Sequence, residues 1–282
     1  AHNTAMKMSR NAGPLIEELI KENRVISLVG SGGKTTLLCF LAMQAMKAST
    51  GAEPCGYAEG AAPVWKACGA EFVPQKMSRE RRVLMTTTTK LYLPKRRLLC
   101  ETEEDCAREW RSGRAALLGR PVKPGEGDVR KLCAPEPELL TAMIRKAECS
   151  VIEADGARMF PMKYPAAHEP ALHPETDAVL AVIGMSALGQ RLCDCCFRWE
   201  LSGLPGEHRV TEEDVVRLLA SEQGGRKAVA RRRYLAVLNQ CDTEQLQRSA
   251  ERILRELRER YGIAGLWSAF SAAEREEGQY AL

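Results

Sequence analysis

The sequence predicts an α/β fold with three layers, helices covering both faces of a mostly parallel sheet. Three observations predict it. Short apolar runs rich in Val, Ile and Leu recur along the chain. Helical segments alternate with them. The first run breaks directly into the glycine cluster of VISLVGSGGKTT, residues 25–36.

Five runs read as buried strands: VISLV (25–29), VLMTTT (83–88), SVIEA (150–154), AVLAVIG (178–184) and YLAVLN (234–239). A strand covered on both faces has no solvated side, so it reads as a continuous apolar run. Helices are expected over 34–47, apolar on most faces, and over 137–147. A third is expected over 211–221, where T-E-E-D is a capping box with Asp in place of Glu. A fourth, amphipathic, is expected over 243–261 and stops before Gly262. Alternation of this kind places ligand groups at the carboxyl ends of the strands. Residues 51–80 break the rhythm with Gly, Ala and Pro and read as an insertion into one domain spanning 1–282.

Composition narrows the classes. The chain has 282 residues, 45% hydrophobic and 28% charged, which is ordinary for a globular protein. A net charge of +4 is too small for a nucleic-acid footprint, and the basic runs at 79–82, 95–97 and 231–233 read as solvated flanks. No apolar stretch approaches the ~20 residues of a membrane span. The start, AHNTAMKMSR, has no signal-peptide core, and a cytoplasmic location is expected. Eleven cysteines are then expected as free thiols packed like small hydrophobes. Cys193, Cys195 and Cys196 cluster in RLCDCCFRWE, either by coincidence or as a metal, selenium or redox site, but no second pair lies at zinc spacing.

The glycine cluster carries the chemistry. Strand, glycine turn and helix in succession is the setting in which backbone N–H groups converge on a phosphate. Gly30, Ser31, Gly32, Gly33, Lys34, Thr35 and Thr36 form the candidate cradle. Lys34 supplies a charge for the terminal phosphates, and the Thr35 hydroxyl a ligand for Mg²⁺. The spacing is the short G-x-x-G-K-T-T, with Leu28 where the longer pattern has its first glycine. The alternative is a glycine-rich turn with a solvated lysine. With the cradle, the sheet reads as P-loop NTPase-like.

Other strand ends supply the remaining groups. Glu153 and Asp155 follow a strand in SVIEADGA, where carboxylates can hold Mg²⁺ and orient water. Lys34, Glu153 and Asp155 are the catalytic candidates, and Thr35 with Asp155 the Mg²⁺ ligands. LNQCD (238–242) resembles the N-K-x-D element of GTP-binding proteins, with Gln240 for Lys. Asn239 and Asp242 are candidate base contacts; a capped strand-to-helix turn is the alternative. TTTTK places Thr86, Thr87, Thr88 and Thr89 before Lys90, and four hydroxyls at a strand end cannot all be buried without partners.

Together VGSGGKTT, VLMTTTTKLYLP, VIEADGARMFPMKYPAAHEP, TDAVLAVIGMSALGQ, RVTEEDVVRLL and VLNQCDT resemble the YqeC-type accessory proteins of selenium-dependent molybdenum hydroxylases. The resemblance spans most of residues 15–245. It implies nucleotide binding, with ATP or GTP and Mg²⁺, in the maturation of such an enzyme. Its partners would be the molybdenum hydroxylase or a molybdopterin cofactor intermediate, with a homodimer as a possible working form. It points to Thr86–Thr89, Lys90, Lys163, His168 and Glu169 as substrate contacts. Three activities fit: a nucleoside triphosphatase, a small-molecule kinase or ligase, and a nucleotide-gated chaperone without turnover.

Overall fold

The computed structural model describes residues 7–48, 81–92, 99–122, 131–156 and 158–269. The expected insertion at 51–80 lies outside the described residues. The first part of the chain forms β1 (Lys7–Met8), α1 (Ala12–Glu22), β2 (Val25–Gly30), α2 (Lys34–Lys47), β3 (Val83–Thr87), β4 (Lys90–Tyr92) and β5 (Leu99–Cys100). Next come α3 (Glu103–Arg111), β6 (Ala116–Leu118), β7 (Arg120–Pro121), β8 (Lys131–Cys133), α4 (Pro137–Lys146), β9 (Cys149–Glu153) and β10 (Met162–Lys163). The last part holds β11 (Ala178–Gly184), α5 (Leu192–Cys195), β12 (Cys196–Phe197), α6 (Glu212–Ala220), β13 (Arg233–Asn239), α7 (Glu244–Tyr261) and β14 (Ala264–Ala269).

The fold is mixed α/β with a large, mostly parallel sheet. Nine strands run in the order β1-β14-β13-β11-β2-β9-β3-β6-β5, and only β1 is antiparallel to its neighbour. The five expected strands all form, and they occupy the middle. β2 is central, between β9 and β11. The chain leaves β2 for β3 on one side, returns to β9, and then builds the other side from β11 onward. Such a reversal opens a crevice at the carboxyl end of the strand where it occurs.

Alternation along the strands feeds both faces. Leu180 and Val182 of β11 join Ile26 and Leu28 of β2 beneath α1 and α2. Val179, Ala181 and Ile183 face the other way, into the cluster that α6 and α7 cover. α3 and α4 cover the same side farther along, over Leu84, Ala116 and Ile152. Each fully buried Leu or Ile contributes about 2 kcal/mol.

Local signals set the helix ends. In α6, Thr211 accepts from the Asp214 N–H while Asp214 accepts from the Thr211 N–H, the reciprocal box expected from T-E-E-D. α3 starts with the same box, Thr102 with Asp105, from the same tetrapeptide at 102–105. α7 ends at Gly262, whose φ of 66° suits a residue without Cβ. A three-stranded sheet, β4-β8-β7, and a two-stranded parallel pair, β10-β12, complete the described structure. Among the described residues no helix is long and apolar enough to cross a membrane.

Candidate functional site

Residues 30–36 lie at the carboxyl end of β2, at the reversal point of the sheet. Gly30, Gly32 and Gly33 all have positive φ, at 87°, 88° and 107°. A Cβ on Gly32 would lie 2.2 Å from the Gly184 nitrogen, so the loop is pressed against the end of β11. The Gly30 N–H donates to Asp155 Oδ2 at 2.9 Å. The Ser31 N–H donates to the Val182 carbonyl at 2.8 Å. Beyond these, the N–H groups from Gly32 to Thr36 meet no acceptor among the described residues. They open the N-terminus of α2, where the helix dipole favours an anion.

Lys34 is folded back into this loop with 4% exposure. Its Nζ donates to the Gly30 carbonyl at 2.6 Å and lies 3.1 Å from Asp155 Oδ1 and 3.8 Å from Glu153 Oε1. Asp155 Oδ1 meets the lysine without hydrogen-bond geometry, so it holds Lys34 as an ion pair alone. Burial alone would lower the Lys34 pKa, but Asp155 and then Glu153 outweigh it and hold the ammonium above its ordinary value. Burial pushes the Glu153 carboxyl up, against the pull of Lys34 and Thr35.

The carboxylate beside Thr35 is Glu153, which accepts from the Thr35 hydroxyl at 3.0 Å. Asp155 instead sits between two lysines, with Lys163 Nζ 3.1 Å from its Oδ2. Lys163 continues to Glu169 at 2.8 Å, and Arg198 reaches the same Glu169 oxygen at 2.5 Å. Burial would raise the Glu169 pKa, but the hydrogen bond and charge of Lys163 lower it overall. The network thus runs from Lys34 through Asp155, Lys163 and Glu169 to Arg198. A cavity of ≈ 20 Å³ touches Gly30, Asp155 and Lys163. That is room for about one water.

The other candidates divide. Asn239 is 2% exposed and donates to the Gly32 carbonyl at 2.8 Å. Its Oδ1 accepts from the Gln240 N–H at 2.8 Å and the Ser268 hydroxyl at 3.0 Å. Asn239 therefore clamps the loop, with both ends of its amide engaged inside the protein, while Asp242 is exposed nearby. Thr86 donates to the Leu118 carbonyl and Thr87 to the Glu153 carbonyl, both within the sheet. Thr87 Oγ1 also accepts from the Thr89 N–H at 3.0 Å. Thr88 Oγ1 is buried without a partner. Lys90 and His168 are exposed.

Among the described cysteines all are free thiols and most are buried, while Cys133 and Cys193 are half-buried. Cys195 and Cys196 lie in the α6/α7-side core, with Sγ atoms turned to the Ala187 and Phe197 carbonyls respectively. No group of three metal-ligating side chains occurs among the described residues. Arg198 escaped the sequence reading. Its signal is buried in CDCCFRWE, where the cysteines draw the eye, and only the β10-β12 pairing brings it to Glu169.

The family model described as YqeC protein matches residues 71–200, which hold the threonine run, Glu153, Asp155, Lys163, Glu169 and Arg198. A relative from Escherichia coli strain K12, named "Uncharacterized protein YqeC", is 29% identical over 236 residues, covering 79% of this chain and 79% of its own. The chain is similar to the YqeC family over residues 71–200 and to this relative over most of its length.

Proposed function

We propose that this protein is a P-loop-like, Mg²⁺-dependent nucleoside triphosphatase that serves the maturation of selenium-dependent molybdenum hydroxylases. The observation that carries the nucleotide part is the loop itself: N–H groups from Gly32 to Thr36 without acceptors, beside a lysine held by two carboxylates. A phosphate chain would take up those N–H groups and draw Lys34 from Asp155. The maturation role rests on the family resemblance.

The residues fit a divalent cation. A hydroxyl and a carboxylate 3.0 Å apart, Thr35 and Glu153, are the oxygen donors Mg²⁺ accepts while keeping several waters. Bound there, Mg²⁺ would neutralise phosphate charge. Glu153 would hold the cation and orient a water carried by it toward the terminal phosphate. Lys34 and the loop amides stabilise charge developing on the phosphoryl oxygens. Thr88, the one hydroxyl of the threonine run that is buried without a partner, is left for ligand.

Calorimetric titration of ATP and GTP with Mg²⁺, on wild type and Lys34→Ala, tests the reading. Micromolar binding lost by at least tenfold in the variant supports it. Equal binding by wild type and variant refutes it.

A further inference from the structure

The charge network does not stop at Glu169. Arg198 reaches that carboxylate and also lies over the Phe197 ring, 4.3 Å from its centroid. Arg158 lies over the same ring at 5.0 Å. Phe160 stacks with Phe197 at 6.1 Å and an interplanar angle of 14°. The β10-β12 register explains the meeting. Lys163 pairs with Phe197, so both side chains rise from one face of that strand pair. Lys163 reaches Asp155 and the Gly156 carbonyl, which places Phe197 beside the segment that carries Arg158.

The charges do not cancel along this line. The cations are Lys34, Lys163, Arg198 and Arg158; the anions are Glu153, Asp155 and Glu169. The excess lies at the Arg158 end. Arg158 is exposed, and no carboxylate among the described residues pairs with it. Arg145, Arg191, Arg233 and Arg252 have such partners, and Arg209 and Arg232 turn to backbone carbonyls instead. A guanidinium resting on a ring keeps its N–H edge free for a two-point contact with an oxyanion. Arg158, Met159 and Arg198 all take left-handed backbone, with φ of 47°, 67° and 59°. Residues held so cluster where a ligand is gripped. Met159 is 65% exposed and offers apolar surface next to Arg158 in the chain. The Pro161 carbonyl accepts from the Gly184 N–H at 2.7 Å and seats this segment against the end of β11, as Gly32 is.

We propose that Arg158, Arg198 and Phe197, with Met159 and Phe160 at the margin, form a second binding site beside the loop of residues 30–36. It takes a small molecule that carries an oxyanion, phosphate or carboxylate, on a flat apolar body. Arg198 is the fixed half of the site, held by Glu169, and Arg158 is the half that closes on the ligand. The site stands whether or not the loop takes a nucleotide.

Phenyl phosphate, benzoate and inorganic phosphate are the probes, followed by ligand-observed NMR on the full chain. Arg158→Ala, an exposed position whose loss does not threaten folding and which leaves the loop of residues 30–36 intact, separates this site from phosphate held by the loop. Phenyl phosphate or benzoate should bind the wild type more tightly than inorganic phosphate. Whichever of the two binds better identifies the oxyanion. Arg158→Ala should weaken that binding at least tenfold, and Arg158→Lys should restore only part of it. Binding that Arg158→Ala leaves unchanged overturns the site. Equal affinity for inorganic and phenyl phosphate overturns the flat body. No binding by any probe overturns both.

Discussion

Replacing Asn239 by Ala separates two roles for the end of β13. As a clamp, Asn239 makes three hydrogen bonds: to the Gly32 carbonyl, from the Gln240 N–H and from the Ser268 hydroxyl. All lie in a region where Asn239 is 2% and Ser268 1% exposed. At about 1 kcal/mol each, the loss is about 3 kcal/mol. With a urea slope of roughly 3 kcal/mol/M, the unfolding midpoint should fall by about 1 M. Ser268→Ala removes one of the three bonds and should cost about 1 kcal/mol. Added to Asn239→Ala it should cost little more, because its partner is already gone. ATP and GTP affinities should fall by the same factor, since the variant loosens the loop under the phosphates. A midpoint shift under about 0.2 M would show that the three bonds do not stabilise the fold. A loss confined to one base would return Asn239 to base recognition and refute the clamp.

Three further changes test neighbouring parts of the argument. Gly32→Ala places a Cβ 2.2 Å from the Gly184 nitrogen at a φ of 88°, and should lower stability by at least ~2 kcal/mol in denaturant unfolding. Thr86→Val, which leaves the Leu118 carbonyl without its donor, should cost about 1 kcal/mol, whereas Thr88→Val should leave the melting temperature unchanged and weaken nucleotide binding. Asp214 is the pH case: burial would raise its pKa, but hydrogen bonds from His208 and Thr211 hold it below its ordinary 3.8. That stability is fully present above pH 3.8 and drains as pH falls through the lower folded value, so Asp214→Asn should flatten the acid limb of the stability profile.

Legibility followed the range of the signal. The five middle strands were readable because burial on both faces demands uninterrupted apolar runs, and each of those runs is local. The α6 box was readable for the same reason: Thr211 and Asp214 are three residues apart. α3 carries the identical tetrapeptide but is hard to read from sequence, because a nine-residue helix of low hydrophobicity shows little else. β1, β5 and β6 are two or three residues long and take their existence from neighbours in the sheet. The threonine run illustrates the limit. Its four hydroxyls are equivalent in sequence, and only the positions of Leu118 and Glu153 in the folded sheet determine which are occupied.

The sequence by itself determined the central parallel sheet and the glycine loop that precedes α2. Both depend on residues adjacent in the chain: apolar runs, three glycines able to take positive φ, and a lysine at the helix start. How the polar and charged groups are matched depends on the tertiary structure alone. Thr35 meets Glu153 across 118 positions, Asn239 meets Gly32 across 207, and Arg198 meets Glu169 through a short strand pair. Hydrogen bonds and ion pairs act over a few ångströms in space and carry no trace of sequence distance, so these pairings emerge only once β2, β9, β11 and β13 lie side by side.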